Sequence, residues 1–376
     1  SSDERIGEFM RQRGMAATAD LQNYFNLRVG EMVKKLGRQV VAWDEVAHEQ
    51  LPADWIVQAW RGGTSRDRVR AQGNRVVMSA PYDLDLHYSA ETYYQFDPAA
   101  SQTRLVELED GLEADPRCVH VAGGMRWTRQ WRKGAVSMAP PDTDAALLGA
   151  EACLWGELVD AQVLDQRLWS RMPALAELFW SDQLLLDPVA LTGRLRRFRN
   201  NALEPCGIDL EAQLSRDLSR LGIDDAWQEL ATLIEPVKWY GRLLGEQALA
   251  ARLAGSEMPQ ARPYGTLTAL DKLADVLPPA SERWDLLLMM AQTDEGESER
   301  EQLRTTLKKW QVLAETDQSP EPLQPLLPAL AGLVSAALVR LDGELTDQQT
   351  LIQFMIPRGE LMLAPTPAFL RWLSVA

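Results

Sequence analysis

Cysteine and histidine are scarce in this sequence, with 3 of each among 376 residues. The cysteines, Cys118, Cys153 and Cys206, form no C-x-x-C motif, whereas zinc sites and disulfide frameworks use regularly spaced ligands. We therefore expect no metal site and no disulfide, and we interpret the cysteines as structural thiols. Nothing in the sequence indicates a cofactor.

The sequence also lacks an excess of basic residues and any long apolar run. The net charge is −15, so the chain has no excess of the positive charge that nucleic-acid phosphates attract. No run of about 18 apolar residues is evident, so no membrane-spanning helix is expected. The first residues, Ser1–Arg5, lack the layout of a signal peptide, and this leaves the compartment open.

Tryptophan is abundant, with 13 residues, and the first half of the chain alternates between helical and strand-like patterns. Apolar residues recur at helical spacing from Asp20 to Leu36, and Gly37 ends that predicted helix. Short apolar runs rich in β-branched residues predict strands at 39–43, 56–60, 76–80 and 146–150. Their nearly continuous apolar character predicts burial on both faces, as in a parallel sheet.

Each predicted strand is followed by aromatic and polar residues. These segments are Trp43–Glu45, Trp60–Arg61, Tyr82–Asp85 and Glu151–Glu157. In α/β barrels the ligand-binding groups cluster at the carboxyl ends of the strands. Four strands cannot close an eight-stranded barrel, so we expect the remaining strands to lie in a segment upstream of this chain.

Two further regions differ from this pattern. A long insertion at about 93–144 contains Trp127 and Trp131, and loops of this length are typical of functional lids or of disorder. After Pro188 the apolar residues recur at helical spacing throughout, for example at Leu210, Leu214 and Leu218. We therefore predict an all-helical second domain over 188–376, with a role in packing or in homodimer formation.

Several motifs in the first half resemble glycoside hydrolase family 20, the β-N-acetylhexosaminidases. Val41–Val46 resembles the family's fifth barrel strand, and Val57–Arg61 resembles the sixth. Ser79–Leu86 is similar to the seventh strand, and Leu148–Asp160 to the eighth strand and its loop. The segment Arg167–Ser181 resembles the last barrel helix, so the resemblance covers roughly the first 185 residues in the family's order.

The resemblance implies an α/β fold, with residues 1–187 forming the C-terminal half of a (β/α)8 TIM barrel. It also implies hydrolysis of terminal β-linked N-acetylglucosamine or N-acetylgalactosamine by substrate-assisted, retaining catalysis. The substrate's acetamide oxygen attacks the anomeric carbon, one carboxylate orients the acetamide, and an adjacent Glu is the general acid and later the base. The expected substrates are N-acetylhexosamine-containing glycans or chitooligosaccharides.

The family's catalytic Asp-Glu pair lies in a His-x-Gly-Gly-Asp-Glu motif that this sequence does not contain. Asp3-Glu4 aligns with a helix start, where acidic residues suit the helix dipole. Asp44-Glu45 aligns with carboxylates of the fifth strand that are not the catalytic pair. We therefore predict no catalytic residue in this chain and no hydrolysis by this chain alone.

The residues that remain match the sugar-binding half of the family's site. Trp43, Trp60 and Trp155 match three indoles that enclose the acetamide methyl group and the sugar face. Asp85 and Glu157 match carboxylates that accept hydrogen bonds from the distal sugar hydroxyls. The other interpretation of these side chains is core tryptophans and solvated loop acids.

The seventh strand departs from the family pattern. The family has Tyr-Leu-Asp, with Tyr bonded to the acetamide oxygen, whereas this chain has Tyr82-Asp83-Leu84-Asp85. Either Tyr82 reaches the acetamide from a shifted register or that contact is lost, because a one-residue slip reverses the face of every side chain. Tyr82 is our predicted acetamide partner.

Three hypotheses follow. The first is a family 20 hexosaminidase whose N-terminal barrel half is an upstream segment, a second chain or a part separated by proteolysis. The second is a non-catalytic carbohydrate-binding relative, and the third is a structural or interaction protein dominated by its helical half. The family resemblance favours a periplasmic, cell-envelope or secreted location. His48, His87 and His120 show no nucleophile or metal-ligand arrangement and are interpreted as structural or exposed.

Overall fold

A computed structural model of the chain describes residues 3–47, 51–114, 147–238, 267–292 and 297–374. They divide into two compact units. Unit 1 holds the described residues of 1–82, 98–107 and 127–151, and unit 2 holds those of 83–97, 108–126 and 152–376. These units do not coincide with the predicted domains 1–187 and 188–376, and that boundary stays a prediction.

Unit 1 is built on a parallel sheet of four strands in the order β1-β2-β3-β4. The strands are β1 (Val41–Trp43), β2 (Ile56–Ala59), β3 (Arg75–Met78) and β4 (Leu147–Ala150). Neighbouring strands pair in chain order, and Trp43 of β1 lies opposite Gln58 of β2. All four strands and their parallel arrangement confirm the prediction.

The two faces of this sheet are buried to different degrees. On one face Val57, Ala59, Val76 and Met78 are at most 1% exposed, and helix α3 (Gly63–Ala71) connects β2 to β3 and contacts both strands. The other face carries Ile56, Gln58 and Val77, which are only half-buried. The prediction of burial on both faces is therefore wrong for the described residues, because β-branched content signals a strand without revealing what covers it.

Two helices precede the sheet, α1 (Glu4–Gln12) and α2 (Thr18–Lys35), and the second confirms the predicted Asp20–Leu36 helix. Gly30 is the buried residue of α2, and a Cβ built on it would lie 2.0 Å from a ring carbon of Trp55. The helix therefore approaches Trp55 more closely than any larger residue permits. The predicted apolar positions of α2 face largely outward instead. The exposed ones are Phe25 (60%), Val29 (40%), Met32 (53%) and Leu36 (77%).

We expect Gly30→Ala to lower the free energy of unfolding by about 1–3 kcal/mol, because the added methyl group overpacks the contact with Trp55. Chemical denaturation measures this change. Gly111→Ala is the matched control, since a Cβ there meets no atom within 4 Å inside helix α5 (Gln102–Ala114). The control should gain up to about 1 kcal/mol of helix propensity. Equal stabilisation by both substitutions would show that α2 does not pack on Trp55.

Unit 2 is mostly helical among its described residues. Its helices are α4 (Ala90–Tyr94), α6 (Leu164–Trp169), α7 (Met172–Trp180), α8 (Leu191–Phe198), α9 (Leu210–Arg220), α10 (Asp225–Ala231), α11 (Leu273–Val276), α12 (Arg283–Gln292), α13 (Glu297–Ala314), α14 (Leu327–Leu341), α15 (Gln348–Phe354) and α16 (Pro367–Leu373). Leucines, alanines and the buried indoles of Trp284 and Trp310 form its main core. The leucine stripe predicted from Leu210 to Leu218 lies on α9 and confirms that helix.

The prediction that 188–376 is all-helical is wrong in one respect. Strands β5 (Ile234–Pro236) and β6 (Leu361–Leu363) form an antiparallel pair. Each strand has three residues, and all six are buried. Runs this short show neither a helical nor an alternating period, so their apolar residues could not be distinguished from helix positions.

The structure also bears on the predictions for membrane-spanning helices, for the insertion at about 93–144 and for the cysteines. The stretch Glu321–Leu341 is long and apolar enough to cross a membrane by composition, with a mean hydropathy of 1.6, but half of it is buried in the unit 2 core, as in a core helix. Helix α5 occupies part of the predicted insertion, while Trp127 and Trp131 lie outside the described residues. Cys153 and Cys206 form no disulfide with a described residue, and Cys118 lies outside the described residues.

Candidate functional site

The carboxyl ends of β1 and β2 in unit 1 are joined by a buried carboxylate. Asp44 follows β1 directly and is 1% exposed. Its Oδ2 accepts hydrogen bonds from the Ser65 hydroxyl at 2.5 Å and from the Arg61 backbone N–H at 3.2 Å. The Arg61 guanidinium lies 3.4 Å from Oδ1. Burial raises the pKa of Asp44, and the Ser65 hydrogen bond and the Arg61 charge oppose that rise.

Glu45 and Arg61 hold the indole of Trp60 at the same strand ends. The Trp60 Nε1–H donates to Glu45 Oε1 at 3.0 Å, and Arg61 Nη2 lies 3.0 Å from the same oxygen. The Arg61 guanidinium also lies 5.2 Å from the centre of the Trp60 ring, within the range of a cation–π contact. The Asp44-Glu45 pair therefore serves as a fixed support for Trp60 and Arg61 in this structure.

A third carboxylate, Glu151, lies at the end of β4. Its Oε1 accepts hydrogen bonds from Gln58 of β2 and from Ser79 after β3, both at 2.5 Å. Gln58 also lies opposite Trp43, so this hydrogen-bonded group belongs to the half-buried face of the sheet. Glu151 was not among the predicted site residues, although it begins the segment Glu151–Glu157 that follows the fourth predicted strand.

Tyr82 and Asp83 have different environments. Tyr82 is in unit 1 and is fully buried. Asp83 is in unit 2 and half-buried, and its Oδ1 accepts a hydrogen bond from the Trp155 indole at 3.2 Å. The predicted role of Tyr82 at an acetamide stays a prediction, and the carboxylate that contacts a predicted site indole is the adjacent Asp83.

Asp85 lies in a short turn, Leu84–Leu86, and is 5% exposed. Two fully buried cations, Arg167 and Arg171, lie near it, and the Asp85 charge raises the pKa of both. Burial and the neighbouring Arg171 charge nevertheless lower the pKa of Arg167 to about 9. Neither arginine was predicted as a site residue, because both lie in the segment that resembles the last barrel helix and nothing in its sequence distinguishes them.

His87 follows the Asp85 turn with a left-handed backbone, φ 60°, and is buried. Its Nδ1 lies 3.1 Å from Arg167 Nη1. Because arginine only donates, Nδ1 accepts and the imidazole is neutral with its proton on Nε2. Burial lowers the pKa of His87 well below 6.5, and the charges of Arg167, Arg171 and Lys238 lower it further. The interpretation of His87 as structural agrees with this packing.

The remaining predicted residues are placed as follows. Trp43 and Trp60 are half-buried, and Trp155 is 43% exposed. The backbone of Glu157 lies in the turn Gly156–Leu158, and its side chain lies outside the described part of the structure. Asp3 caps α1 by accepting from the backbone N–H groups of Arg5 and Ile6, as expected for a helix start. His48 and His120 lie outside the described residues.

A separate cavity of about 570 Å³ lies within unit 2. Its wall includes Arg199, which contacts both Glu282 oxygens at 3.1–3.2 Å. None of the predicted sugar-binding residues lines it. Within the described ranges, no group of three or more His, Cys, Asp or Glu side chains could hold a metal ion.

Indoles and carboxylates at the carboxyl ends of parallel strands are the arrangement of an α/β-barrel protein that binds its ligand at this edge. Residues 1–183 match the family model of the Glycosyl hydrolase family 20 catalytic domain. This segment is therefore similar to the catalytic domain of glycoside hydrolase family 20, and the resemblance drawn from the motifs is confirmed.

Curated relatives agree with this assignment. The β-hexosaminidase subunit beta of Entamoeba histolytica is 28% identical over 187 residues, which are 49% of this chain and 30% of that protein. The human β-hexosaminidase subunit beta is 27% identical over 210 residues, 54% of this chain and 32% of that protein. The matched segments thus span about a third of each relative.

The structure also resembles a solved protein, the chitobiase of Flavobacterium johnsoniae, with a TM-score of 0.70 and 21% identity. The match covers 99% of this chain and 53% of that chain. The fold likeness therefore extends through the helical region beyond residue 183, and it supports a TIM-barrel-like α/β fold for the sheet.

Proposed function

We propose that this chain is the sugar-binding half of an exo-acting β-N-acetylhexosaminidase that hydrolyses terminal β-linked N-acetylglucosamine or N-acetylgalactosamine. The observation that carries the proposal is the parallel sheet β1-β2-β3-β4, whose strand ends bear the family's aromatic and acidic motifs in the family's order. The substrate class is a terminal N-acetylhexosamine on a glycan or chitooligosaccharide.

In the proposed reaction the substrate supplies its own nucleophile. The acetamide oxygen attacks the anomeric carbon, the glycosidic oxygen leaves with a proton from the general acid Glu, and water later opens the oxazolinium ion. The Asp-Glu pair that orients the acetamide and transfers the proton is expected on the N-terminal barrel half. This chain alone is therefore expected to be inactive.

The chain's own residues would bind and orient the sugar. Trp43, Trp60 and Trp155 would contact the acetamide methyl group and the apolar sugar face, where indoles also exclude water. Asp85 and Glu157 would accept hydrogen bonds from distal hydroxyls. The contact of Glu45 with the Trp60 indole and of Asp83 with the Trp155 indole supports fixed rings at two of these positions.

The open surfaces of unit 1 support an N-terminal barrel half as the missing partner, either upstream in the same polypeptide or as a second chain. The edge strands β1 and β4 carry Val41 and Leu148, which are 53% and 49% exposed. Phe25, Val29 and Met32 of α2 and Leu36 directly after it are also exposed. Uncovered apolar faces and strand edges favour association, and continuing the sheet at both edges would cover them.

The predicted division into a barrel half at 1–187 and a helical domain at 188–376 belongs to the same proposal. The helical domain would act in packing or in homodimer formation. A periplasmic, cell-envelope or secreted location fits the substrate class.

A non-catalytic carbohydrate-binding relative is the second candidate. It is favoured by the fact that the pairs Asp3-Glu4 and Asp44-Glu45 have structural settings. Asp3 caps a helix, and Asp44 is buried in an ion pair with Arg61. This candidate shares the sugar site and differs only in having no general acid on any partner segment.

A sugar-binding titration tests the shared part of both candidates. The full chain is expected to bind N-acetylglucosamine more tightly than glucose, since only the former presents an acetamide to the indoles. Trp60→Ala should weaken that binding at least about tenfold, as expected for an anchoring tryptophan. Trp180→Ala is the matched control, because Trp180 is 93% exposed at the end of α7. Equal binding of both sugars, or no effect of Trp60→Ala, would reject a sugar site at this edge.

A further inference from the structure

Asp83 joins two segments of unit 2 that are distant in sequence. It forms a parallel bridge with Cys153, and the backbone N–H of Leu84 donates to the Cys153 carbonyl at 2.7 Å. These contacts bring the segment after β3 beside the segment after β4. Asp83 and Trp155 are neighbours in space for this reason, and no sequence spacing reveals it.

The backbone of Asp83 is held from a second side. The Tyr93 hydroxyl donates to the Asp83 carbonyl oxygen at 2.6 Å. Tyr93 is fully buried, and burial raises the pKa of its phenol, so the hydroxyl stays protonated as a donor. Asp83 is thus anchored through its backbone by Cys153 and Tyr93, which leaves its carboxylate in a defined position.

The Trp155 indole, by contrast, lies at an exposed part of the chain. It is 43% exposed, and a Cβ built on the next residue, Gly156, would meet no atom within 4 Å. A partly exposed indole samples several rotamers unless specific contacts select one. The Nε1–H donation to Asp83 Oδ1 at 3.2 Å is one such contact, and a charged acceptor strengthens it.

We propose that Asp83 is a positioning residue that fixes the orientation of the Trp155 indole for its contact with the sugar. The part of this inference that concerns sugar affinity rests on the proposed function, whereas the part that concerns the indole does not. The acidic residue that follows Tyr82 in this chain, Asp83, therefore orients an indole. Because an indole held in advance loses less freedom on binding, its release should weaken sugar binding about threefold to tenfold.

Two substitutions separate a positioning role from a general structural one. Asp83→Ala removes the acceptor, while Asp83→Asn keeps a carbonyl oxygen that can accept from the indole. The indole resonance of Trp155 in the ¹⁵N-labelled full chain, assigned by its loss in Trp155→Phe, reports the hydrogen bond. Asp317→Ala, at an exposed position in unit 2, is the control.

We expect Asp83→Ala to shift the Trp155 indole resonance and to speed its N–H exchange, and to weaken N-acetylglucosamine binding about threefold to tenfold. Asp83→Asn should keep the indole resonance and the sugar affinity close to those of the parent chain. Asp317→Ala should change neither the resonance nor the affinity. An unchanged indole resonance in Asp83→Ala would overturn the inference. So would a released indole with unchanged sugar affinity. If the parent chain binds no N-acetylglucosamine, the proposed function fails, while the indole measurement still decides whether Asp83 holds Trp155.

Discussion

This chain alone should release no p-nitrophenol from p-nitrophenyl N-acetyl-β-glucosaminide above the uncatalysed rate. Joined to an N-terminal barrel half that carries the Asp-Glu pair, it should hydrolyse the substrate with a kcat on the order of 1–10³ s⁻¹, as enzymes of this kind do. The reason is chemical. The leaving oxygen needs a proton donor, and in this chain Asp44 is paired with Arg61 and Glu45 with Trp60.

Two controls define this result. The same N-terminal half with its Asp-Glu pair changed to Asn-Gln should assemble with the chain but stay inactive. In the active assembly, Trp155→Ala should lower kcat/KM by about a hundredfold or more, and Trp180→Ala should have no effect. Hydrolysis by this chain alone, unaffected by Trp155→Ala, would contradict the account.

The stability of unit 2 should fall with acidity because of His87. The folded state keeps this imidazole neutral, since its pKa lies well below 6.5 through burial and the charges of Arg167, Arg171 and Lys238. The unfolded chain takes up a proton there as the pH falls below 6.5, while the folded chain does not. The contribution of His87 is therefore complete above pH 6.5, and the free energy of unfolding falls below it by up to about 1.4 kcal/mol per pH unit.

The variant His87→Asn tests this dependence. Asparagine tolerates the left-handed backbone of this position and does not titrate. Urea unfolding between pH 4.5 and 7.5, followed by near-ultraviolet circular dichroism, should give a slope against pH that is smaller by up to about 1.4 kcal/mol per unit below pH 6.5 in the variant. The prediction concerns the slope of the unfolding free energy against pH and not the overall stability of the variant. Identical slopes in parent and variant would mean that the pKa of His87 is the same in the folded and unfolded states.

Much of the sheet could be predicted from the sequence, because its signals are local. Val41–Trp43 and Ile56–Ala59 are short β-branched runs followed by polar residues, and both form parallel strands. The residue patterns also gave the positions of Trp43 and Trp60 at the strand ends. The surroundings of these strands could not be predicted. Ile56 and Gln58 fit the pattern of a strand whether or not a second half of the barrel covers them.

Contacts between residues distant in sequence explain the rest of what sequence analysis missed. The pairing of Asp83 with Trp155 depends on the bridge between Asp83 and Cys153. The buried contact of His87 with Arg167 joins residues 80 positions apart. The motif could place Tyr82, Asp83 and Asp85 in one segment. It could not show that Tyr82 is buried while Asp83 contacts an indole. Adjacent strand residues point to opposite faces, and which residue points to which face depends on pairing with residues distant in sequence.

The intact mass of the native protein, measured under denaturing conditions after isolation with everything that stays bound to it, tests the central claim most directly. The account predicts a polypeptide much heavier than the 42.2 kDa of this sequence, or a second chain that co-purifies, together with hydrolysis of the β-N-acetylglucosaminide. A single 42.2 kDa species without a partner would contradict it and would leave the non-catalytic carbohydrate-binding relative as the function.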